Sequence, residues 1–227
     1  MDTKKSHENI FKELKPILTE MGFNNAEYYS HFCSLNFTKV LNKVSYHIRL
    51  QFFNDSLGIN YLQGHILLNE VNEMIGKFID LKVNNEFITL KDYINKKKLT
   101  NKLREMNIIS KNMNKSQYLI DIINHIKNLI IPFFNKYPDI TAINEKILNK
   151  VPQKDYPEWF HGKSTLKILI IMKLCNNPKY NFYKASKEKE YLAFVNQNPA
   201  MWKPAYDTFC SLVEYLDKGH YNKTAIK

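Results

Sequence analysis

The stretch YLIDIINHIKNLIIPFF, residues 118–134, carries the longest helical periodicity in the chain. Its apolar side chains recur at steps of three and four residues, as on one face of an α-helix. These apolar positions are Leu119, Ile122, Ile123, Ile126, Leu129, Ile130 and Phe133. Pro132 has no backbone N–H to donate and disfavours helical geometry in the residue before it. We therefore predict a core helix that ends or kinks near Ile131 and places Phe133 and Phe134 in the core.

A first helix is predicted over residues 6–21. Its shared apolar face consists of Ile10, Phe11, Leu14, Ile17, Leu18 and Met21. Gly22 stands where a glycine commonly ends a helix. Pro16 lies inside the period, so the helix either kinks there or starts later than Ser6, since a straight course costs up to about 3 kcal/mol.

Residues 26–68 have the two-residue period of strands. The clearest run is Val44 to Phe52, in which apolar and polar side chains alternate, as on a strand with one face against a core. Asn54, Asp55 and Ser56 are turn residues, and strand composition resumes after them. The pattern predicts an antiparallel meander of three or four strands.

Helical spacing dominates the rest of the chain. Helices are predicted over residues 69–81, 140–151, 166–175, 180–196 and 204–216, with Ser164 as N-cap of the all-round apolar third one. Strands followed by helices are the order of an α+β fold. We predict a single α+β domain over residues 1–227: helix plus antiparallel sheet (1–90), a lysine-rich connection (91–117) and a larger helical half (118–227).

Length and composition limit the classes of protein to which the chain can belong. With 227 residues, 44% of them hydrophobic, the chain is able to bury a sizeable core. No apolar run approaches the ~20 residues that cross a bilayer, and the polar N-terminus lacks the apolar segment of a secretory signal. We therefore expect a cytoplasmic protein without membrane association.

Three widely spaced cysteines predict reduced, buried thiols rather than disulfides or a metal knuckle.

The net charge of +11 is concentrated between Lys91 and Lys115, where eight basic residues meet two acidic ones. The candidate binding residues in this segment are Lys96, Lys97, Lys98, Lys102 and Arg104. An acidic protein partner, a phosphate backbone or plain solvent could each face such a segment. Because 31 of the 33 basic residues are lysines, the planar guanidinium favoured for nucleic-acid recognition is scarce. The sequence therefore favours an acidic protein over nucleic acid as the partner.

Two further groups are candidate binding residues. His47, Arg49 and Gln51 alternate along the predicted strand, so they point the same way and form either a small ligand site or a solvated face. Trp159, Phe160 and His161 lie in a proline-bounded loop, where aromatic rings act as binding anchors or simply cap the core.

Motifs of catalysis are missing. The sequence has no GxSxG, GxGxxG, GxxxxGK[ST], HExxH or CxxC pattern. His31 and Cys33 are the nearest pair of soft metal ligands, and nothing in sequence completes a site with them. We predict no cofactor, no metal and no catalytic residue, and leave open an enzyme whose site, around His47 and Arg49, forms only in three dimensions.

Three segments resemble a bacterial family known as domain of unknown function 4304: FKELKPILTEMGF at residues 11–23, the strand region up to Leu50 and Gln51, and IIPFFNKYPDI at residues 130–140. The resemblance implies an α+β fold and no established activity. By analogy with small bacterial proteins of this build, it suggests a toxin-neutralising, immunity-type role. The leading hypothesis is thus a non-enzymatic protein-binding module, and the sequence leaves its oligomeric state open.

Overall fold

The computed structural model of the chain describes residues 3–54, 56–83, 86–92 and 115–221. It divides into two compact units, each made of two stretches of chain. Unit 1 is Met1–Leu67 with Leu90–Pro138, and unit 2 is Leu68–Thr89 with Asp139–Lys227. The boundaries of the units therefore differ from the three segments expected from the sequence, and the single domain stays a prediction.

The strands are β1 (Asn25–Tyr29), β2 (Ser34–Leu41), β3 (Val44–Phe52), β4 (Ile59–Leu68) and β5 (Leu90–Lys91). The α-helices are α1 (Thr3–Glu20), α2 (Asn69–Ile75), α3 (Lys115–His125), α4 (Ile131–Lys136), α5 (Ile140–Ile143), α6 (Tyr156–Trp159), α7 (Ser164–Leu174), α8 (Tyr180–Gln197) and α9 (Pro199–Asp217). Short 3₁₀ helices cover Ser30–Phe32 and Gln153–Asp155, and π-helical turns cover Ile126–Ile130 and Asn144–Leu148.

The α+β fold class is confirmed. An N-terminal helix precedes an antiparallel sheet, and most of the remaining described chain is helical. The sheet has five strands in the order β1-β2-β3-β4-β5, one or two more than predicted. Strands β1 to β4 cover the span of the predicted meander, and the short strand β5 lies beyond it and adds to the edge at β4. In the described part of the chain, no helix has both the length and the apolar character needed to cross a bilayer.

The central helix forms, but Pro132 does not end it. The α-helical hydrogen-bond pattern stops at His125, a π-helical turn follows, and the N–H of Ile131 donates to the carbonyl of Ile126, five residues back. Pro132 then sits in the first turn of α4, where its missing N–H is tolerated. The predicted delivery of Phe133 and Phe134 into the core is confirmed, since both are buried.

Helix α1 continues through Pro16 and begins at Thr3, so the alternative of a start later than Ser6 is wrong. Its end before Gly22 is as predicted. Gly22 has a φ of +90°, and the N–H of Phe23 donates to the carbonyl of Leu18, as in a glycine-terminated helix. Pro16 is exposed, so water can solvate the backbone groups that its ring leaves without partners.

The sheet packs closely on the central helix within unit 1. Alternate residues of β2 and β3, including Phe37 and Ile48, are fully buried on the side that faces the helices. At Gly64 in β4, an added methyl group would lie 2.6 Å from the Cγ2 atom of Ile130. A glycine is therefore needed here to let the strand approach the helix.

In unit 2, helix α7 is buried on every side, as its continuous apolar run predicts. Helix α8 closely follows the predicted residues 180–196. Helix α9 begins at Pro199, earlier than expected, because the Asn198 side chain caps it by accepting from the N–H of Met201.

A buried histidine on α1 is expected to make the stability of unit 1 depend on pH. His7 on α1 stacks on Phe52 with ring centroids 4.4 Å apart, and its Nε2 atom lies 2.9 Å from the carbonyl oxygen of Ser56. Among the described residues, its buried Nδ1 atom has no hydrogen-bond partner. Burial lowers the pKa of His7, against the opposing effect of the Ser56 hydrogen bond, so the folded state favours the neutral ring.

We expect this contribution to be present above pH 6.5, the ordinary histidine pKa, and to be lost as the pH falls towards the lowered folded pKa. Urea unfolding followed by far-UV circular dichroism at pH 7.5 and pH 5.5 measures the loss. His7→Phe keeps an aromatic ring but cannot titrate, so the wild type should lose more stability on acidification than this variant. Equal losses in the two proteins would contradict the prediction.

Candidate functional site

One side of the sheet in unit 1 carries polar side chains from four strands. We call this side the polar sheet face. It consists of Glu27, Tyr29, Asn36, Thr38, His47, Arg49, Gln51, Tyr61, Gln63 and His65. The cross-strand pairs Thr38–His47, Asn36–Arg49 and Ser34–Gln51 set neighbouring side chains in rows. The structure therefore places the predicted row His47, Arg49 and Gln51 on one face, inside a larger cluster.

Arg49 lies near the middle of the polar sheet face and is half-buried. Among the described residues, its guanidinium makes no hydrogen bond and no ion pair, and its Nε atom is buried without a partner. Buried polar groups in folded proteins nearly always have partners, and a charged one without a partner is costly. A planar donor group in this state is suited to an anion from outside the chain.

His47 is held beside Arg49 by its own strand and by β2. Its Nδ1 atom lies 3.4 Å from the hydroxyl oxygen of Thr38. Burial lowers the pKa of His47, and the negative charge of Glu27 opposes the shift. The ring is therefore neutral near pH 7 and able to donate one hydrogen bond to a ligand.

Tyr61 and His65 extend the cluster onto β4. The Tyr61 hydroxyl hydrogen-bonds to Nε2 of His65, and the two rings stack with centroids 5.8 Å apart. Burial raises the pKa of Tyr61 and the positive charge of Arg49 lowers it, so the phenol stays protonated. This pair was not among the site residues predicted from the sequence, although the alternation Tyr61, Gln63, His65 within INYLQGHILL was a signal for it.

Exposed aromatic rings border one end of the polar sheet face. Tyr29 is 42% exposed, Phe32 is 64% exposed and Phe53 is 44% exposed. The Gln51 side chain donates to the carbonyl oxygen of Phe32 over 3.2 Å, which ties the 3₁₀ turn to β3. We call these three rings the aromatic rim, and they are suited to contact a partner that lies on the face.

The lysine-rich candidates Lys96, Lys97, Lys98, Lys102 and Arg104 lie outside the described residues. The lysine-rich segment, residues 91–115, joins the described sheet at its first residue, where Lys91 on β5 pairs with His65 on β4. The segment therefore begins on the strand next to the one that carries Tyr61 and His65.

The loop that contains Trp159, Phe160 and His161 does not present its two large aromatic rings as surface anchors. Trp159 is 7% exposed and Phe160 is 1% exposed, so both rings are part of the core of unit 2. The alternative in which they cap the core therefore fits the structure better than the one in which they are surface anchors. His161 is only half-buried, and its backbone is fixed because its N–H donates to the carbonyl of Thr89.

A buried lysine holds this loop against residues 86–88, and it was not among the residues predicted from the sequence. The Nζ atom of Lys167 on α7 lies 3.2 Å from a Glu86 carboxylate oxygen, 2.8 Å from the carbonyl oxygen of Ile88 and 2.6 Å from that of His161. The pKa of Lys167 is lowered to about 8, mainly by burial and against the attraction of Glu86. Its three donors are all used, so Lys167 joins two segments rather than serving a ligand. The sequence feature that could have predicted this role was a lysine inside an otherwise apolar helix.

Within the described ranges, no group of three or more His, Cys, Asp or Glu side chains is placed to hold a metal ion. Cys33, Cys175 and Cys210 are free thiols, and Cys33 alone is fully buried. Burial raises the pKa of Cys175 to about 11, which keeps it in the poorly nucleophilic thiol form.

Comparisons of the chain with protein-family models, with curated proteins and with solved structures found no match. The resemblance to the domain of unknown function 4304 family therefore stays a prediction.

Proposed function

We propose that the protein is a non-enzymatic binding module that receives an acidic protein partner on the polar sheet face, with a partner carboxylate on Arg49. The observation that carries the proposal is the half-buried guanidinium of Arg49, which has no partner among the described residues. Guanidinium and carboxylate groups pair through two parallel hydrogen bonds, which gives such a contact both strength and direction.

The distribution of charge supports this partner. Residues 1–67 and 90–138 carry 17 Lys and Arg against nine Asp and Glu, a net charge of +8, whereas unit 2 carries only +3. A strongly positive unit attracts acidic surfaces over long range and raises their rate of association. The lysine-rich segment contributes most of this charge and continues from β5, at the edge of the same sheet.

An immunity-type role, in which the partner is a toxin, is the finer form of the proposal. It depends on the resemblance of residues 11–23 and 130–140 to the domain of unknown function 4304 family and on analogy with small bacterial toxin-neutralising proteins. A toxin encoded by a neighbouring gene would be the first partner to test.

The test is capture of partners by the immobilised full-length chain at about 50 mM and 300 mM salt, a range over which screening changes strongly. We expect one acidic protein, identified by mass spectrometry, whose binding weakens with salt. Arg49→Ala should weaken its capture at least tenfold, since truncating one partner of a buried charge pair costs about 2–5 kcal/mol.

Lys189→Ala is the matched control, because it removes the same charge from an exposed position on α8 in unit 2. Arg49→Lys separates charge from geometry: it keeps the charge, and we expect it to restore binding only in part. A folded Arg49→Ala protein that captures the same partner as strongly as the wild type would overturn the proposal.

The aromatic rim favours a second candidate, single-stranded nucleic acid. Bases stack on exposed rings such as Phe32 at about 1–3 kcal/mol per base, while basic residues hold the phosphates. Fluorescence anisotropy with a labelled oligothymidine tests this candidate. It predicts affinity that falls steeply with salt and at least fivefold weaker binding by Phe32→Ala, with the exposed Phe182→Ala in unit 2 as control. Oligothymidine binding unaffected by Phe32→Ala would remove the second candidate and leave the first untouched.

A further inference from the structure

A cavity of about 350 Å³ lies in unit 1, apart from the polar sheet face. Its wall is formed by the residues that follow α1, by the β2–β3 hairpin and by the region around α4. Lys39 and Tyr46 are paired across β2 and β3 and contribute from the side of the sheet that carries the core. The volume is within the range of small-molecule sites, which begin at about 300 Å³.

Three aromatic residues of the wall, Phe23, Tyr46 and Phe134, contact one another. The Phe134 ring lies 6.2 Å from the Phe23 ring and 5.1 Å from the Tyr46 ring, measured between centroids. The Tyr46 hydroxyl donates to the carbonyl oxygen of Pro138 over 3.0 Å. Since these three rings are buried and packed on one another, the apolar part of the cavity is formed before any ligand enters.

Of the described residues that line the cavity, Lys39 alone is charged. Its Nζ atom donates to the carbonyl oxygen of Met21 over 3.2 Å, and among the described residues no carboxylate pairs with it. Two of its three donors are therefore available. The ammonium group lies against Gly22, where an added methyl group would approach it to 3.1 Å, so the absence of a side chain gives Lys39 its position.

An apolar cavity with one cation at its wall suits a ligand that has an apolar body and one negatively charged group. We propose that this cavity binds an organic monocarboxylate with an apolar body of about eight to ten carbons, a size that suits a small ligand pocket. The carboxylate accepts from Lys39 Nζ, and the apolar body lies along Phe23 and Phe134. A neutral ligand would leave the ammonium donors unused, and a dianion would bring one charge more than Lys39 balances.

Octanoate is the probe, and 1-octanol is its neutral counterpart with the same chain length. Isothermal titration calorimetry of the full-length protein should show saturable binding of one octanoate. Lys39→Met keeps an unbranched side chain without the charge, and we expect it to bind octanoate at least tenfold more weakly and octanol unchanged. Lys39→Arg keeps the positive charge and should retain octanoate binding within about threefold.

Two further variants complete the test. Leu41→Trp fills the cavity from its exposed rim and should weaken both octanoate and octanol at least fivefold. Lys12→Met removes an exposed charge on α1 and should change neither. If Lys39 serves only the end of α1, Lys39→Met will melt earlier and bind octanoate as the wild type does. That result, or no saturable octanoate binding to the wild type, would overturn the proposal.

Discussion

Replacing Lys167 by methionine is expected to destabilise unit 2 by about 3–5 kcal/mol, the usual cost of breaking a buried ion pair by removing one partner. The Lys167 side chain is fully buried, and its loss removes the cation paired with the Glu86 carboxylate and the Nζ donor to the carbonyl groups of Ile88 and His161. Because a buried group that loses its partner retains its desolvation penalty, the effect exceeds that of any exposed pair.

Urea unfolding followed by tryptophan fluorescence measures this effect in unit 2 alone, since both tryptophans, Trp159 and Trp202, lie there. Lys173→Met is the matched control on the same helix. Its partially exposed pair with Asp217 should contribute about 0–1 kcal/mol. A double variant, Glu86→Leu with Lys167→Met, should recover part of the stability. An unchanged urea midpoint for Lys167→Met would contradict the structural role assigned to Lys167.

The second large effect is expected from Gly162→Ala, which should destabilise unit 2 by about 2–5 kcal/mol. Gly162 has a φ of +62°, a conformation that costs a residue with a side chain about 1–2 kcal/mol. An added methyl group would lie 2.1 Å from a Glu86 carboxylate oxygen, and overpacking of this kind costs about 1–3 kcal/mol. The carboxylate has little freedom to move, because it also accepts from the N–H of Lys163 and from Lys167.

Gly219→Ala separates these two causes. Gly219 follows α9 and has a similar φ of +66°, so its substitution carries the same conformational cost of about 1–2 kcal/mol. The same fluorescence measurement compares the two variants. If Gly162→Ala is no more destabilising than Gly219→Ala, the close approach of Glu86 to Gly162 does not contribute, and the account of this loop is wrong.

The strands illustrate what periodicity predicts well. The alternation from Val44 to Phe52 predicts a strand with one buried face, and β3 has those same bounds. A two-residue period arises only when successive side chains point to opposite sides, so the pattern itself carries the geometry. The edge strand β5 is just two residues long, which is too short for any period to indicate it.

The prolines illustrate where local rules fail. Pro132 is expected to end or kink the central helix, yet a π-helical turn before it allows the helix to continue to Lys136. Pro16 and Pro204 lie inside α1 and α9. The local cost of a proline is real, but burial of the apolar face along a continuing helix can exceed it. This balance depends on tertiary packing.

The candidate sites also combine features that the sequence predicts with features that only the tertiary structure shows. Strand alternation alone places His47, Arg49 and Gln51 on one face. Three other features are visible only in the tertiary structure. They are the lack of a partner for Arg49 among the described residues, the Tyr61–His65 pair on the neighbouring strand and the cavity beside Lys39. Loop composition suggests Trp159 and Phe160 as anchors, whereas the hydrogen bonds from Lys167 and the burial of both rings assign them to the core.

The sequence by itself determined the order of the elements, the α+β class and the side of each long strand that is buried, because hydrophobic periodicity is a local property of the chain. Only the tertiary structure decided which polar groups have partners and which apolar residues enclose a cavity. The contacts of Lys167 with Glu86 and of Phe23 with Phe134 join residues 81 and 111 positions apart, and no local pattern encodes such distances.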